Sequence, residues 1–400
     1  MNNIKLRKFP FPYKCGLSIC SDLDGCEDIS KYIELQKFLC TNSATKIGEG
    51  IDLEVGNSFW FFRNSAKPGI SYFQNLSKKE TYYTPILREL IEAGIIDVIH
   101  TYGDFNNGGF ERKYAEIALD EIKKKNLVIN TWVNHGNRLN VQNIGNLKWF
   151  NGDNKKSSYY HMDLVKEIGI KYFWISQVTH LVGQDAKYSL NNLAKNQIQR
   201  GLALKYWRKQ IPPFFSNKLL EEVKLRDNSI IKAFMRFINP WGKYSYTDIN
   251  NIPYQINRTI LMELIKNQGY LVLYTHLGNN SLNSTLIPEN SKKHLLELAK
   301  EYYNGNIFIT TTTRLLNYNE VTNGIKFKIN IENGFYVIII DGSDPNLDKN
   351  MLEGITLYTD EPEKTLVKFR DEILITQTNG KDFTGRFSIS IPWIKNEFPM

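Results

Sequence analysis

Ser18-Ile19-Cys20-Ser21-Asp22-Leu23-Asp24-Gly25 carries a short apolar strand straight into two carboxylates and a glycine. Residues 15 to 20 are small and apolar enough for a buried parallel strand, which normally turns before any acid appears. Asp22 and Asp24 therefore place two negative charges at one strand mouth. Their repulsion runs from several kcal/mol in a dry site down to about 1 kcal/mol in water, so a cation usually sits beside such a pair. One carboxylate would then hold a metal while the other stays available as a base. Asp-x-Asp-Gly is also a common turn, with an Asp capping the helix that starts near Cys26, and the two roles are compatible.

Outward from this strand, apolar spacing predicts helices over residues 26–41, 82–93, 112–125, 162–168, 254–267 and 291–303. They alternate with apolar runs at 95–99, 127–133, 170–175, 230–237, 270–274 and 307–310. Residues 51–62 form an aromatic-rich strand or hairpin, and an irregular region holding Pro212-Pro213 precedes residue 230. Seven strands alternating with helices predict an α/β fold, a distorted seven-stranded (β/α) barrel over residues 1–318. After Tyr318 short alternating segments are broken by turns at Glu332-Asn333-Gly334, Asp341-Gly342 and Thr378-Asn379-Gly380. This texture predicts a small all-β, sandwich-like accessory module over residues 319–400. Its acidic turn, Asp341, Asp344 and Asp348, lacks an EF-hand pattern and reads as a solvated turn.

The chain has 400 residues, 42% hydrophobic and 23% charged, which fits a globular protein of two domains with a large core. A net charge of +8 invites a nucleic-acid reading, but the lysines are scattered. The one compact run, Lys123-Lys124-Lys125, closes an amphipathic helix, so no nucleic-acid partner is expected. An anionic glycan or lipid-linked phosphate stays compatible with the charge. Cys15, Cys20, Cys26 and Cys40 show no CxxC spacing and read as buried thiols. No signal peptide and no run of 18 apolar residues is visible, so no transmembrane segment is expected and a cytoplasmic location is the default.

The polar residues at strand exits decide the functional reading. Asp22, Asp24, His100, His135 and His276 all fall at C-terminal strand ends, the face that carries catalysis in α/β barrels. His100-Thr101-Tyr102-Gly103-Asp104 adds a carboxylate four residues after an imidazole. With Asp24 it makes three ligands, Asp24, His100 and Asp104, the number a catalytic metal site needs while leaving room for water and substrate.

Over residues 13–318 the chain resembles the polysaccharide deacetylases of the NodB-like, carbohydrate esterase type. The resemblance rests on Ser21-Asp22-Leu23-Asp24-Gly25, on His100-Thr101-x-x-Asp104 and on Leu273-Tyr274-Thr275-His276. It implies Asp22 as base, Asp24, His100 and Asp104 as ligands, and His276 as general acid. Two departures stand out: Asp104 replaces the family's second metal histidine, and Trp132-Val133-Asn134-His135-Gly136 replaces its arginine-proline motif. His135 either orients the base in place of the missing arginine or binds the metal itself. The divalent metal is expected to be zinc first; the harder, more anionic Asp, His, Asp set leaves manganese, cobalt, nickel or iron open beside it.

The expected activity is metal-dependent removal of an N-acyl group, chiefly N-acetyl, from a saccharide, such as an intermediate of surface-glycan biosynthesis. Trp60, Tyr102 and Trp132 are candidates for stacking on the sugar, with core packing the stronger reading of each alone. The alternatives are a deformylase or amidase on another amide, and a catalytically silent carbohydrate-binding protein.

Overall fold

The computed structural model describes residues 3–65, 69–186, 194, 217–239, 247–279, 285–345 and 347–399, so Pro212-Pro213 lies outside the described residues. Its main sheet comprises, in chain order, β1 (Cys15–Ser21), β2 (Gly56–Phe59), β3 (Ile96–Ile99), β4 (Thr131–Val133), β5 (Tyr172–Trp174) and β6 (Val178–Thr179). It continues with β7 (Leu220–Lys224), β8 (Ile230–Phe234), β9 (Arg236–Phe237), β10 (Tyr270–Thr275) and β11 (Ile307–Ile309). Every residue of β1 is buried, as a central parallel strand covered on both faces requires.

The expected seven-stranded (β/α) barrel is corrected by the strand pairing. The sheet is curled, mixed and half-barrel in form, with ten strands in the path β6-β9-β10-β1-β2-β3-β4-β5-β8-β7 and β11 joined to β1 off that path. Among the described residues only the β7–β8 pairing between its strands is antiparallel. Three features escaped the apolar pattern. Leu220–Lys224 reads Leu-Glu-Glu-Val-Lys, too polar to register as a strand; Val178–Thr179 is two residues long; and the run 230–237 is split at Met235 into β8 and β9. Those two pieces pair with β5 and with β10 respectively, so the sheet curls until one residue separates strands from its two ends.

The helices cover this sheet. Asp28 starts α1 (Ile29–Cys40), its carboxylate accepting from the N–H groups of Ser30 and Lys31. Next come α2 (Thr84–Glu92) and α3 (Arg112–Lys125), the latter ending on left-handed Asn126 with Lys123, Lys124 and Lys125 at its negative end. Then follow α4 (Met162–Ile168), α5 (Ile252–Gln255), α6 (Arg258–Asn267), α7 (Glu289–Tyr303) and α8 (Thr312–Gly324). Among the described residues no helix is long and apolar enough to cross a membrane. Cys15, Cys20, Cys26 and Cys40 are buried and unbridged, and burial pushes the thiols of Cys20, Cys26 and Cys40 up to about 12.

The C-terminal residues form two four-stranded sheets. One contains Phe327–Glu332, Phe335–Ile340, Thr365–Phe369 and Glu372–Ile373. The other sets Thr356–Tyr358, Ser388–Ser390 and Gln377–Asn379 beside Lys5–Leu6 from the opposite end of the chain. Helix α8 runs through the expected boundary at 318. From it Arg314 reaches Glu54, Glu353 and the Ile394 carbonyl, its guanidinium 3.8 Å above the Trp393 ring.

Strand register sets the site. Thr275 lies opposite Ser21, Phe59 opposite Ile99, Ile99 opposite Trp132, and Val133 opposite Trp174. The residues just past these pairs, including Asp22, Trp60, His100 and His276, therefore emerge at one end of the sheet. Nearby, His161 is fully buried among Tyr102, Phe110 and Trp132, and its Nε2–H donates to the Gln142 carbonyl at 2.7 Å.

Burial pushes the His161 pKa down from 6.5 to about 4. Between those values the unfolded chain binds a proton that the folded one refuses, so this residue's contribution is full above pH 6.5 and shrinks as pH falls towards 4. Urea melts of wild type and His161→Gln at several pH values should show their stability difference shifting across that window and level above it. A difference that is flat with pH would mean the folded imidazole accepts the proton.

Candidate metal centre

Asp22, at the end of β1, is fully buried and held on both carboxylate oxygens. Arg236 of β9 donates Nη1 to Oδ2 at 2.6 Å and Nη2 to Oδ1 at 2.9 Å, while Ser58 of β2 donates to Oδ1 at 2.8 Å. Arg236 is itself buried between Trp174 and Tyr274, 4.3 and 4.7 Å from their ring centres, and its Nη2 reaches Cys20 Sγ at 3.0 Å. Burial would raise the Asp22 pKa, but the Arg236 charge and hydrogen bonds, with His100, hold it below the usual carboxylate range.

Asp24, two residues on, meets imidazoles. Its Oδ1 lies 3.1 Å from His100 Nδ1 and its Oδ2 lies 3.1 Å from His135 Nδ1, while His135 Nδ1 lies 3.2 Å from His100 Nε2. Asp24, His100 and His135 form a group that could hold a metal ion. Their fit to one can be judged from the structure. Asp24 Oδ1 and His100 Nδ1 are buried with no hydrogen-bond partner, although they face each other. Tetrahedral bonds of about 2.0–2.1 Å place neighbouring donor atoms roughly 3.3 Å apart, close to the 3.1 and 3.2 Å spacings around His135 Nδ1. Charge agrees: burial opposes a cationic His135, yet Asp24 and Asp104 on either side push its pKa up to about 10. A positive charge is called for there, and a proton or a divalent ion can supply it.

Asp104 is not in that group. It stands on the far side of His135, 3.5 Å from Nε2, where the Asn106 side-chain amide also reaches at 2.9 Å. In place of the expected set Asp24, His100, Asp104, the structure groups Asp24, His100 and His135, with Asp104 behind the His135 ring on the Nε2 side. His135 enters from the loop after β4, its backbone fixed by hydrogen bonds to the Asn143 side chain. Of the two roles open to it, the geometry favours ligation, because orientation of Asp22 belongs to Arg236.

Sequence reasoning missed Arg236. The signal was present: one arginine inside the apolar run Ala233-Phe234-Met235-Arg236-Phe237-Ile238, where burial without a carboxylate partner would be prohibitive. His276 follows β10 and donates Nδ1–H to the Thr247 carbonyl at 2.5 Å, which turns Nε2 towards Asp24 Oδ2, 3.9 Å away. At Gly25, with φ +73, an added Cβ would fall 2.6 Å from the Asn279 side chain, so the loop carrying Asp24 needs glycine there.

The three aromatics expected to stack on a sugar are packed inside. Trp60 is 2% exposed, and Tyr102 and Trp132 are 0% exposed, so none offers a platform. Trp60 instead stacks on His100 at 5.5 Å and meets His135 edge-on at 4.9 Å, backing both rings. Trp132 donates its indole N–H to Asn134 Oδ1.

No family model and no curated protein sequence matches this chain. A solved structure, a conserved exported protein from Bacteroides fragilis, matches at 9% identity over 98% of each chain with a TM-score of 0.28. A likeness at that score supports no conclusion about fold or function.

Two substitutions separate ligand from supporting carboxylate. His135→Ala should abolish stoichiometric metal in elemental analysis of the purified protein, whereas Asp104→Asn should keep it with affinity lowered about 10- to 100-fold. The opposite pattern would return Asp104 to the ligand set.

Proposed function

We propose that this protein is a metal-dependent hydrolase that removes an N-acyl group, N-acetyl first, from a saccharide. One observation carries the reading. A carboxylate clamped by a buried arginine stands 3.8 Å from His100 of the Asp24, His100, His135 group, and a third imidazole, His276, faces that group through Asp24. A base, a cation-ready ligand set and a proton donor thus converge, as amide hydrolysis requires.

A divalent ion, zinc first, held by Asp24, His100 and His135 would polarise the acyl carbonyl and lower the pKa of a nearby water from 15.7 towards about 7. The chain's own groups do the rest. Arg236 and Ser58 fix the Asp22 carboxylate in one orientation and keep it ionised, so it can accept the water's proton. Hydrogen-bonded through Nδ1 to Thr247, His276 presents Nε2 to the leaving nitrogen and protonates it as the C–N bond breaks. Trp60 packs against both ligand rings, limiting their motion and excluding water on that side.

The silent-binding alternative drew on the departures at Asp104 and His135; the buried Arg236 beside Asp22 supports the catalytic reading over it. The saccharide rests on the resemblance alone, since the three candidate stacking residues are buried.

Asp22→Asn should retain metal while lowering hydrolysis about 10²- to 10⁴-fold, the usual weight of a general base. Assays on N-acetyl and N-formyl sugars with the metal-loaded wild type should release acetate in preference to formate. Formate release alone would move the substrate to the deformylase class, and no release from any amide in a metal-replete preparation would end the hydrolase reading.

A further inference from the structure

In the C-terminal sheet, Phe327–Glu332 is the outermost strand, and among the described residues its one strand neighbour is Phe335–Ile340. The two-residue turn Asn333-Gly334, with φ +50 and +82, fixes their register from Phe327 opposite Ile340 to Glu332 opposite Phe335. The outer side of this strand offers a row of backbone donors and acceptors to whatever lies beyond it. Its side chains are open too: from Lys328 to Glu332 every residue is exposed, Ile331 at 73% and Ile329 at 44%. Sheet edges usually carry charge or proline at such positions, so two exposed isoleucines on one face call for a partner.

We propose that this edge pairs antiparallel with the same edge of a second copy of the chain. The argument is self-complementarity. In an antiparallel pair, opposed residues share a face, so the isoleucines can meet only in registers that match odd positions with odd. Centred on Asn330, a two-fold axis sets Ile329 against the partner's Ile331 and Lys328 against the partner's Glu332, each contact occurring twice. A shift of two residues towards the turn takes both charges out of register, and the opposite shift sends Glu332 to Lys326, before the strand begins. Within its own chain Glu332 meets Lys368 at 3.2 Å, a partly exposed pair that competes weakly. One strand pair covers less than the roughly 1,200–2,000 Å² of a stable interface, so the dimer is reversible.

The test is sedimentation velocity of the full chain at rising concentration, with a thermal melt of each variant to confirm folding. Wild type should pass reversibly from monomer to dimer. Glu332→Lys, which opposes two lysines twice, and Ile331→Lys should each stay monomeric at concentrations where wild type is dimeric. The double variant Lys328→Glu with Glu332→Lys, which restores opposite charges in reversed order, should dimerise again. Wild type remaining monomeric throughout, or a dimer that survives both Glu332→Lys and Ile331→Lys, would overturn the proposal; neither outcome bears on the metal centre.

Discussion

The ion pair between Arg236 and Asp22 is the constraint around which the rest is arranged. Both partners are fully buried, and stripping one from such a pair typically costs about 3–5 kcal/mol because the other charge is left unmatched in the interior. The surroundings are shaped to it. Trp174 of β5 and Tyr274 of β10 flank the guanidinium, Cys20 accepts one of its N–H groups, and Ser58 completes the carboxylate. Strands β1, β2, β5, β9 and β10 thus each contribute to one charge pair, which ties sheet curvature to the orientation of a single carboxylate.

The two opening aspartates differ because their environments do. Asp22 points into the sheet interior and meets a permanent cation, so its oxygens are committed and its ionised state is secured. Asp24, followed by the left-handed Gly25 before the helix, stays partly exposed and among the described residues meets imidazoles, whose charge depends on protons or metal. A two-residue spacing at a strand exit thus separates a fixed anion from an adaptable one.

Much of this was readable from residues alone, and the losses have physical causes. Buried strands such as Cys15–Ser21 and Tyr270–Thr275 announce themselves by apolar runs, and their polar exits marked Asp22, Asp24, His100, His135 and His276 as neighbours. What apolar runs cannot report is pairing. The antiparallel strand Leu220–Lys224 and the break at Met235 are set by hydrogen bonding between segments distant in sequence, so the sheet's path and strand number were misread. Asp104 was assigned by its spacing from His100, but spacing along a loop does not say which side of a neighbouring ring a carboxylate will occupy. Arg236 was overlooked because a hydrophobic run was read for its average and not for its exception. Exposure was equally invisible: Trp60, Tyr102 and Trp132 stand beside site residues in sequence, yet all three point inward.

The placement of β1 carries a consequence for how the chain matures. Along its length it pairs with β10, and at its start with β11, both more than 240 residues later in the chain. Loop closure over such separations is slow, and it must be completed before the contacts that repay it form. During synthesis the first strand made waits for nearly the last part of the sheet, so its apolar faces and the Asp22 carboxylate stay unmatched while most of the chain emerges. The sheet end that sets His276 beside Asp24 is therefore completed late, and a nascent chain stalled short of residue 270 would carry every helix from α1 to α6 as far as it had been made, yet lack the strand that His276 follows.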